Sequence, residues 1–229
     1  LEDAKFLYEA GADALIIQDL GLARLIHAHA PDFALHASTQ MTIHTLDAAK
    51  QARDIGFSRV VLSRECSREE IKLITEAGRC RDRGVRARCA VHVLLGAVLS
   101  VRRDRSALGN RGLCAQPCRL PYSGGYPLSL KDLMLAGHVA ELSDWGVSSL
   151  KIEGRMKRPE YAAIVTKVYS DLLREHRRPT AEERDILRRV FSRDGFTDGY
   201  YTGKLGNSMF GTKTDVPMNE VKKLYDELR

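Results

Sequence analysis

A-L-I-I-Q-D-L, residues Ala14–Leu20, decides the fold class of this chain. Ala14–Gln18, four apolar residues and a glutamine with two of the apolar ones β-branched, is too short for a helix and suits a buried strand. The run ends abruptly in Gln18-Asp19, and helical spacing resumes at Leu20. Working outward, Asp3–Ala10 reads as a helix before it and Leu20–Ala28 as a helix after it. The same alternation continues with Ala34–Ala37 as a strand, Leu46–Ile55 as a helix and Arg59–Leu62 as a strand. Ser67 with Glu70 three residues on is a capping box that opens a helix over Ser67–Ala77. Leu128–Leu130 precedes a helix near Leu133–Trp145, Ser149–Ile152 is a further strand, and Arg158–Arg174 is a helix with Pro159 near its start. A second box, Thr180 with Glu183, opens a helix to about Phe191, and the chain from Gly195 reads as irregular. Strands alternating with helices predict an α/β fold with a parallel sheet.

Polar residues follow the apolar runs in phase. Gln18-Asp19, Ser38-Thr39-Gln40, Arg64-Glu65, Lys131-Asp132 and Glu153-Arg155 each stand directly after a strand-like segment. In a (β/α) barrel the carboxyl ends of the strands converge on one face, where chemistry is built. Any one such pair is also what an ordinary loop would carry. The expected architecture is therefore a TIM-like (β/α) barrel, incomplete at its N-terminus, since about six strands are legible where closure needs eight. The expected division is a partial barrel over residues 1–178 and a helical and irregular extension over residues 179–229.

Composition narrows the class. No run of about 18 apolar residues is present to span a membrane, and no secretory leader pattern opens the chain. Five cysteines, an odd number, argue for a reducing compartment, so a cytoplasmic protein is expected. The net charge of +6 is local: residues 79–105 hold eight arginines, no lysine and two aspartates, which accounts for the whole excess. A basic patch suits phosphate, although an all-arginine burst in one window has another reading, given below.

Asn110–Arg119, N-R-G-L-C-A-Q-P-C-R, places Cys114 and Cys118 in a loop beside arginines. Thiolates with basic neighbours are candidates for metal or cluster ligation or redox chemistry, and idle or buried cysteines are the plain alternative. A C-x-x-x-C-x-x-C arrangement is excluded, because Pro121 stands three after Cys118. No Ser-His-Asp or Cys-His constellation and no H-E-x-x-H motif is evident. His36 and His44 read as structural or substrate-facing. Trp145 reads as core, and Tyr200 and Tyr201 as either base-stacking or packing residues.

Y-P-L-S-L-K-D-L (Tyr126–Leu133), L-K-I-E-G-R-M-K (Leu150–Lys157) with P-E-Y (Pro159–Tyr161), and N-R-G-x-C-A-Q-P-C-R strongly resemble the collagenase-like peptidase family, peptidase family U-32. V-V-L-S-R-E (Val60–Glu65) and G-F-T-D-G-Y (Gly195–Tyr200) fit the same family, in the same order, over almost the whole chain. Despite the family name, the resemblance implies an oxygen-independent hydroxylase with an iron–sulfur cluster, acting on tRNA wobble uridine, ribosomal RNA or a ubiquinone precursor. In the tRNA branch prephenate is the hydroxyl source, and a protein partner of the same family is a further expectation. Peptide hydrolysis is the alternative activity. Cys114 matches a cluster ligand, and Cys118 is either a further ligand or a structural neighbour. Glu153 and Arg155 are the candidate catalytic pair, or else a structural pair at the barrel rim; an arginine there suits a carboxylate or phosphate. Ser38, Thr39, Gln40, Arg64 and Lys157 are candidate substrate-binding residues.

One expected motif is absent. The family carries a signature like H-G-A-L-C-x-x-Y-S-G-x-C shortly before N-R-G-x-C, with two ligand cysteines, and this chain reads R-A-R-C-A-V-H-V-L-L-G-A-V-L-S instead. Permitted codons for Cys80–Val101, shifted by one base, give A-G-I-E-A-F-G-H-G-A-L-C-M-C-Y-S-G-Q-C-Y-L-S. The ligand cysteines then fall at the codon junctions after Val91 and Val98. Residues 79–105 are thus read as an out-of-frame translation, which also accounts for arginine without lysine in a GC-rich sequence. True divergence, with Cys89 as a stand-in ligand, is the rival reading, and an inactive fragment with a misread cluster site is the functional corollary.

Overall fold

The structure is a computed structural model that describes residues 1–79, 86–91, 118, 120–153, 159–190, 192, 195–211, 222, 223 and 226. Its strands are β1 Ala14–Ile17, β2 Ala34–Ala37, β3 Phe57–Val61, β4 Arg86–Val91, β5 Asp132–Leu133, β6 Ser149–Ile152 and β7 Phe196–Thr197. Its helices are α1 Glu2–Glu9, α2 Leu20–His29, α3 Leu46–Ile55, α4 Arg68–Arg79, α5 Val139–Asp144, α6 Pro159–Glu175, α7 Ala181–Val190 and α8 Gly199–Thr202. Contacts divide the chain into two compact units. Among the described residues the first takes 1–79, 86–90 and Asp144–Lys151, and the second takes 91, 118, 120–143, 152–153, 159–190, 192, 195–211, 222, 223 and 226.

The first unit is built on a sheet of order β1-β2-β3-β4-β6, in which β1–β2, β2–β3 and β3–β4 pair parallel. Helix starts are set by side chains the sequence places there. The Asp19 carboxylate accepts from the Leu22 N–H at 2.7 Å, and the Thr45 hydroxyl accepts from the Ala48 N–H at 3.2 Å. Ser67 and Glu70 close the expected box: the Ser67 N–H donates to Glu70 Oε2 at 2.7 Å, and the Glu70 N–H to Ser67 Oγ at 3.3 Å. These caps satisfy N–H groups that have no partner within a helix. Leu35, Ala37, Val60 and Val61 of the sheet are sealed from solvent, under Ala23, Ile26, Ala49, Ala52, Ile71 and Ile74 of the helices. Between β2 and β3 the register slips, with Leu35 beside Phe57 but His36 beside Arg59. The skipped Ser58 uses its hydroxyl to donate to the Leu35 carbonyl at 3.1 Å, a bulge closed by its own extra residue.

The second unit gathers β5 and β7 as a parallel pair, Asp132 beside Phe196 and Leu133 beside Thr197. The sequence places a strand-like run at Leu128–Leu130, just before β5, and no strand at β7. Two-residue strands carry no periodicity, so β7 lies in a stretch expected to be irregular, and the helix expected near Leu133 begins with a 3-10 turn at Ala136–His138. In α6, Tyr161, Ile164, Val165, Val168, Tyr169 and Leu172 are buried, the spacing of one helical face. The expected boundary after residue 178 falls in the connection between α6 and α7, which pack on each other within this unit. The architecture is mixed α/β with parallel strands; the described strands form an open sheet and a separate pair, with no closed barrel among them.

Candidate functional site

The expected substrate-binding residues of the first unit stand at the carboxyl ends of two adjacent parallel strands. β2 ends at Ala37, and its neighbour in register on β3 is Val60. Beyond Ala37 the chain turns through Ser38-Thr39-Gln40, where the Ser38 hydroxyl accepts from the Gln40 N–H at 3.2 Å and starts a 3-10 turn. The Ser38 N–H itself donates to the Ile17 carbonyl at 2.9 Å, which ties this turn to the end of β1. Beyond β3, Arg64 is half-buried and bonds its neighbour, Nε to Glu65 Oε1 at 2.8 Å. The first unit therefore brings Ser38, Thr39, Gln40 and Arg64 to the strand-end side. Asp19, on the same side, is committed to capping α2.

Glu153 follows β6 directly and is half-buried, with a polar partner. Arg155, Lys157 and Cys114 lie outside the described residues. Cys118 is a half-buried free thiol. Cys66 is sealed in the first unit, its Sγ 4.0 Å from the Ile43 carbonyl oxygen, and is a packing residue. Among the described residues no group of three or more histidine, cysteine or acidic side chains is placed to hold a metal ion. A cubane cluster needs about four thiolates, and one candidate thiol, Cys118, is described; the described donors do not by themselves make that site. His44 is exposed, its Nδ1 2.8 Å from the Thr42 carbonyl, in keeping with a structural role. Trp145, expected in the core, is half-buried beneath the Arg68 guanidinium at 5.4 Å, a cation–π contact.

A pocket in the second unit went unnoticed in the sequence. It encloses about 340 Å³ and is lined by Met134, Gly137, His138, Arg178, Arg184 and residues Phe196–Asp198. Its residues come from the connection after β5, the start of α7 and the end of β7. Two segments singled out by resemblance, Tyr126–Leu133 and Gly195–Tyr200, thus frame one wall through the β5–β7 pair. His138 Nε2 lies 3.0 Å from Asp198 Oδ2, and the imidazole packs at 4.5 Å against the Tyr201 ring, tilted by 45°. Tyr201 is buried and donates its hydroxyl to Glu141 at 2.7 Å, so it serves packing. Thr197 Oγ1 accepts from the Gly199 N–H at 3.0 Å and shapes the turn into α8. A Cβ at Gly137 would come 3.9 Å from Arg184 Nη2, an ordinary van der Waals contact. A histidine and an aspartate 60 residues apart carry no local spacing signal, which is why no motif gave the pocket away.

No helix among the described residues is long and apolar enough to cross a membrane. The chain is 34% identical over 232 residues to the 23S rRNA 5-hydroxycytidine C2501 synthase of Escherichia coli, covering 94% of this chain and 33% of that protein. It is 30% identical to tRNA hydroxylation protein P of Helicobacter pylori, over 84% of this chain and 51% of the relative. A protein named collagenase from Porphyromonas gingivalis is also 30% identical, over 86% of this chain and 54% of its own length. The chain thus spans between a third and about half of these relatives. No solved structure gives a significant match. The profile described as peptidase family U32 matches residues 1–210, and the chain belongs to that family.

Proposed function

We propose that this chain is part of an oxygen-independent RNA hydroxylase that acts on a pyrimidine of tRNA or ribosomal RNA. The observation that carries the reading is its 94% coverage by alignment to a protein named for hydroxylating a ribosomal cytidine. The strand-end position of Ser38, Thr39, Gln40 and Arg64 on two adjacent parallel strands supports it, since parallel α/β sheets build their sites there. In this reading the sheet is a portion of a (β/α) barrel in a longer polypeptide that works in the cytoplasm. Ser38, Thr39, Gln40, Arg64 and Lys157 bind substrate. Glu153 and Arg155 are the catalytic pair: Arg155 clamps a carboxylate, as of prephenate, or a phosphate in bidentate fashion, and Glu153 orients the reacting group through its carboxylate. Cys114 and Cys118 are cluster ligands of the intact protein, whose remaining ligands this chain as written does not supply.

Peptide hydrolysis is the second reading, favoured by the collagenase name of one relative. Against it, the His138–Asp198 pair faces the Tyr201 ring rather than a serine or cysteine. The deciding measurement is mass spectrometry of tRNA and rRNA from cells lacking the gene and from cells complemented with it. Loss and recovery of one hydroxylated pyrimidine is expected. Unchanged RNA, with collagen cleavage by the metal-free protein, would overturn the proposal.

A further inference from the structure

Among the described residues the second unit carries six arginines, and four of them are ion-paired. All six lie between residues 174 and 189. Arg174 pairs with Asp171 and Glu175, Arg177 with Glu175 and Glu183, and Arg188 and Arg189 share Asp185. Arg178 and Arg184 are the remaining two. Among the described residues neither is in an ion pair, although acids are abundant on the same helices. Both line the same cavity.

That cavity holds one acid, Asp198, and it is engaged by His138 at 3.0 Å. Two unpaired guanidiniums at its wall therefore leave a net positive concavity even while His138 is neutral. Its volume, about 340 Å³, is at the small end of the range for ligand sites, enough for one nucleotide unit rather than an extended chain. Met134 and Phe196 give it an apolar side. Planar guanidiniums together with apolar lining residues are the combination that takes a phosphate by its oxygens and lets the attached sugar and base lie on apolar surface.

We infer that this pocket binds a phosphate group, and that its source is a phosphodiester of the RNA substrate; the inference rests on the RNA reading above. Arg178 and Arg184 hold the phosphate oxygens, and Phe196 and Met134 receive the neighbouring nucleotide. The pocket is an anchor for the strand and is not assigned any chemistry. Arg178 and Arg184 are exposed at the surface, so removing them leaves the core untouched.

The test compares two double variants of equal charge change, Arg178→Ala/Arg184→Ala and Arg174→Ala/Arg188→Ala, in binding to a short single-stranded RNA across a salt series. Loss of phosphate contacts lowers the salt slope by about one per contact. The pocket variant is expected to bind about tenfold more weakly with a slope smaller by about one, since both arginines hold a single phosphate, while the paired-arginine variant stays near the wild type. Equal effects of the two variants, or none, overturn the site while leaving RNA binding intact. A wild-type chain that binds no RNA overturns both this inference and the function proposed above. A parallel titration with uridine monophosphate and inorganic phosphate distinguishes the sources. Pocket-dependent binding of the small anions with pocket-independent binding of RNA overturns the phosphodiester as ligand.

Discussion

Gly56 shows how a single residue can be fixed by two requirements at once. It ends α3 with φ of +113°, a backbone state that L side chains rarely adopt. A Cβ placed there would also stand 2.8 Å from Cγ of His27, on α2. That neighbour atom sits at the root of the ring, so it cannot swing aside without moving the whole imidazole. Gly56→Ala is expected to cost about 1–3 kcal/mol, the range for a strained backbone state, read as a lower urea midpoint. His27→Ala in the same background should recover the steric share and leave the backbone share. A double variant no more stable than Gly56→Ala would show that the close approach contributes nothing.

At the scale of elements, α7 begins with a capping box reinforced from outside. The Thr180 N–H donates to Glu183 Oε2 at 2.8 Å, the Glu183 N–H donates to Thr180 Oγ1 at 3.1 Å, and Arg177 grips both carboxylate oxygens at 2.7 Å. The Arg177 guanidinium, with help from Thr180, holds the Glu183 carboxyl down at about 2. Because the folded value lies below the ordinary glutamate value of 4.5, the stabilisation is fully present above that value and fades as pH falls towards 2. Asp171 and Glu175, lowered beside Lys167, Arg174 and Arg177, act in the same direction. Glu183→Gln keeps a side chain able to cap and removes the charge. The variant is expected to be less stable than the wild type at pH 7 and to converge with it near pH 2 in thermal melts; a constant gap over that range would refute the charge account. Both boxes, Ser67/Glu70 and Thr180/Glu183, were legible because a cap is a local pattern of four residues. So were β2, α3 and β6, whose bounds agree with the sequence reading. The β5–β7 pair and the pocket beside it were not, since their residues meet only through tertiary structure.

Across the molecule, the least consistent part of the sheet is its fourth strand. Interior strands of parallel sheets are near-continuous apolar runs, as the A-L-I-I of β1 is. β4 instead reads R-A-R-C-A-V, lies between β3 and β6, and sets Arg86 in register with Arg59. Arg59 Nε is already buried with no hydrogen-bond partner among the described residues. Two arginines side by side within a sheet are a poor choice for any strand and a natural accident of a misread frame. The shifted frame places F-G-H-G-A-L across this segment, a run that carries no arginine. It also supplies the two cysteines missing from the cluster signature, and it removes the arginines that gave the chain its net charge. The phosphate site proposed at Arg178 and Arg184 does not depend on that charge, because both lie outside the window. Resequencing the gene is expected to find two compensating single-base changes flanking residues 79–105. The frame-restored chain, reconstituted anaerobically, should then hold about four iron and four sulfide per chain, and the chain as written should hold far less. An unbroken reading frame through the window would make Arg86 and Arg88 native to β4, and equal iron in the two chains would remove the missing cysteines from the ligand set.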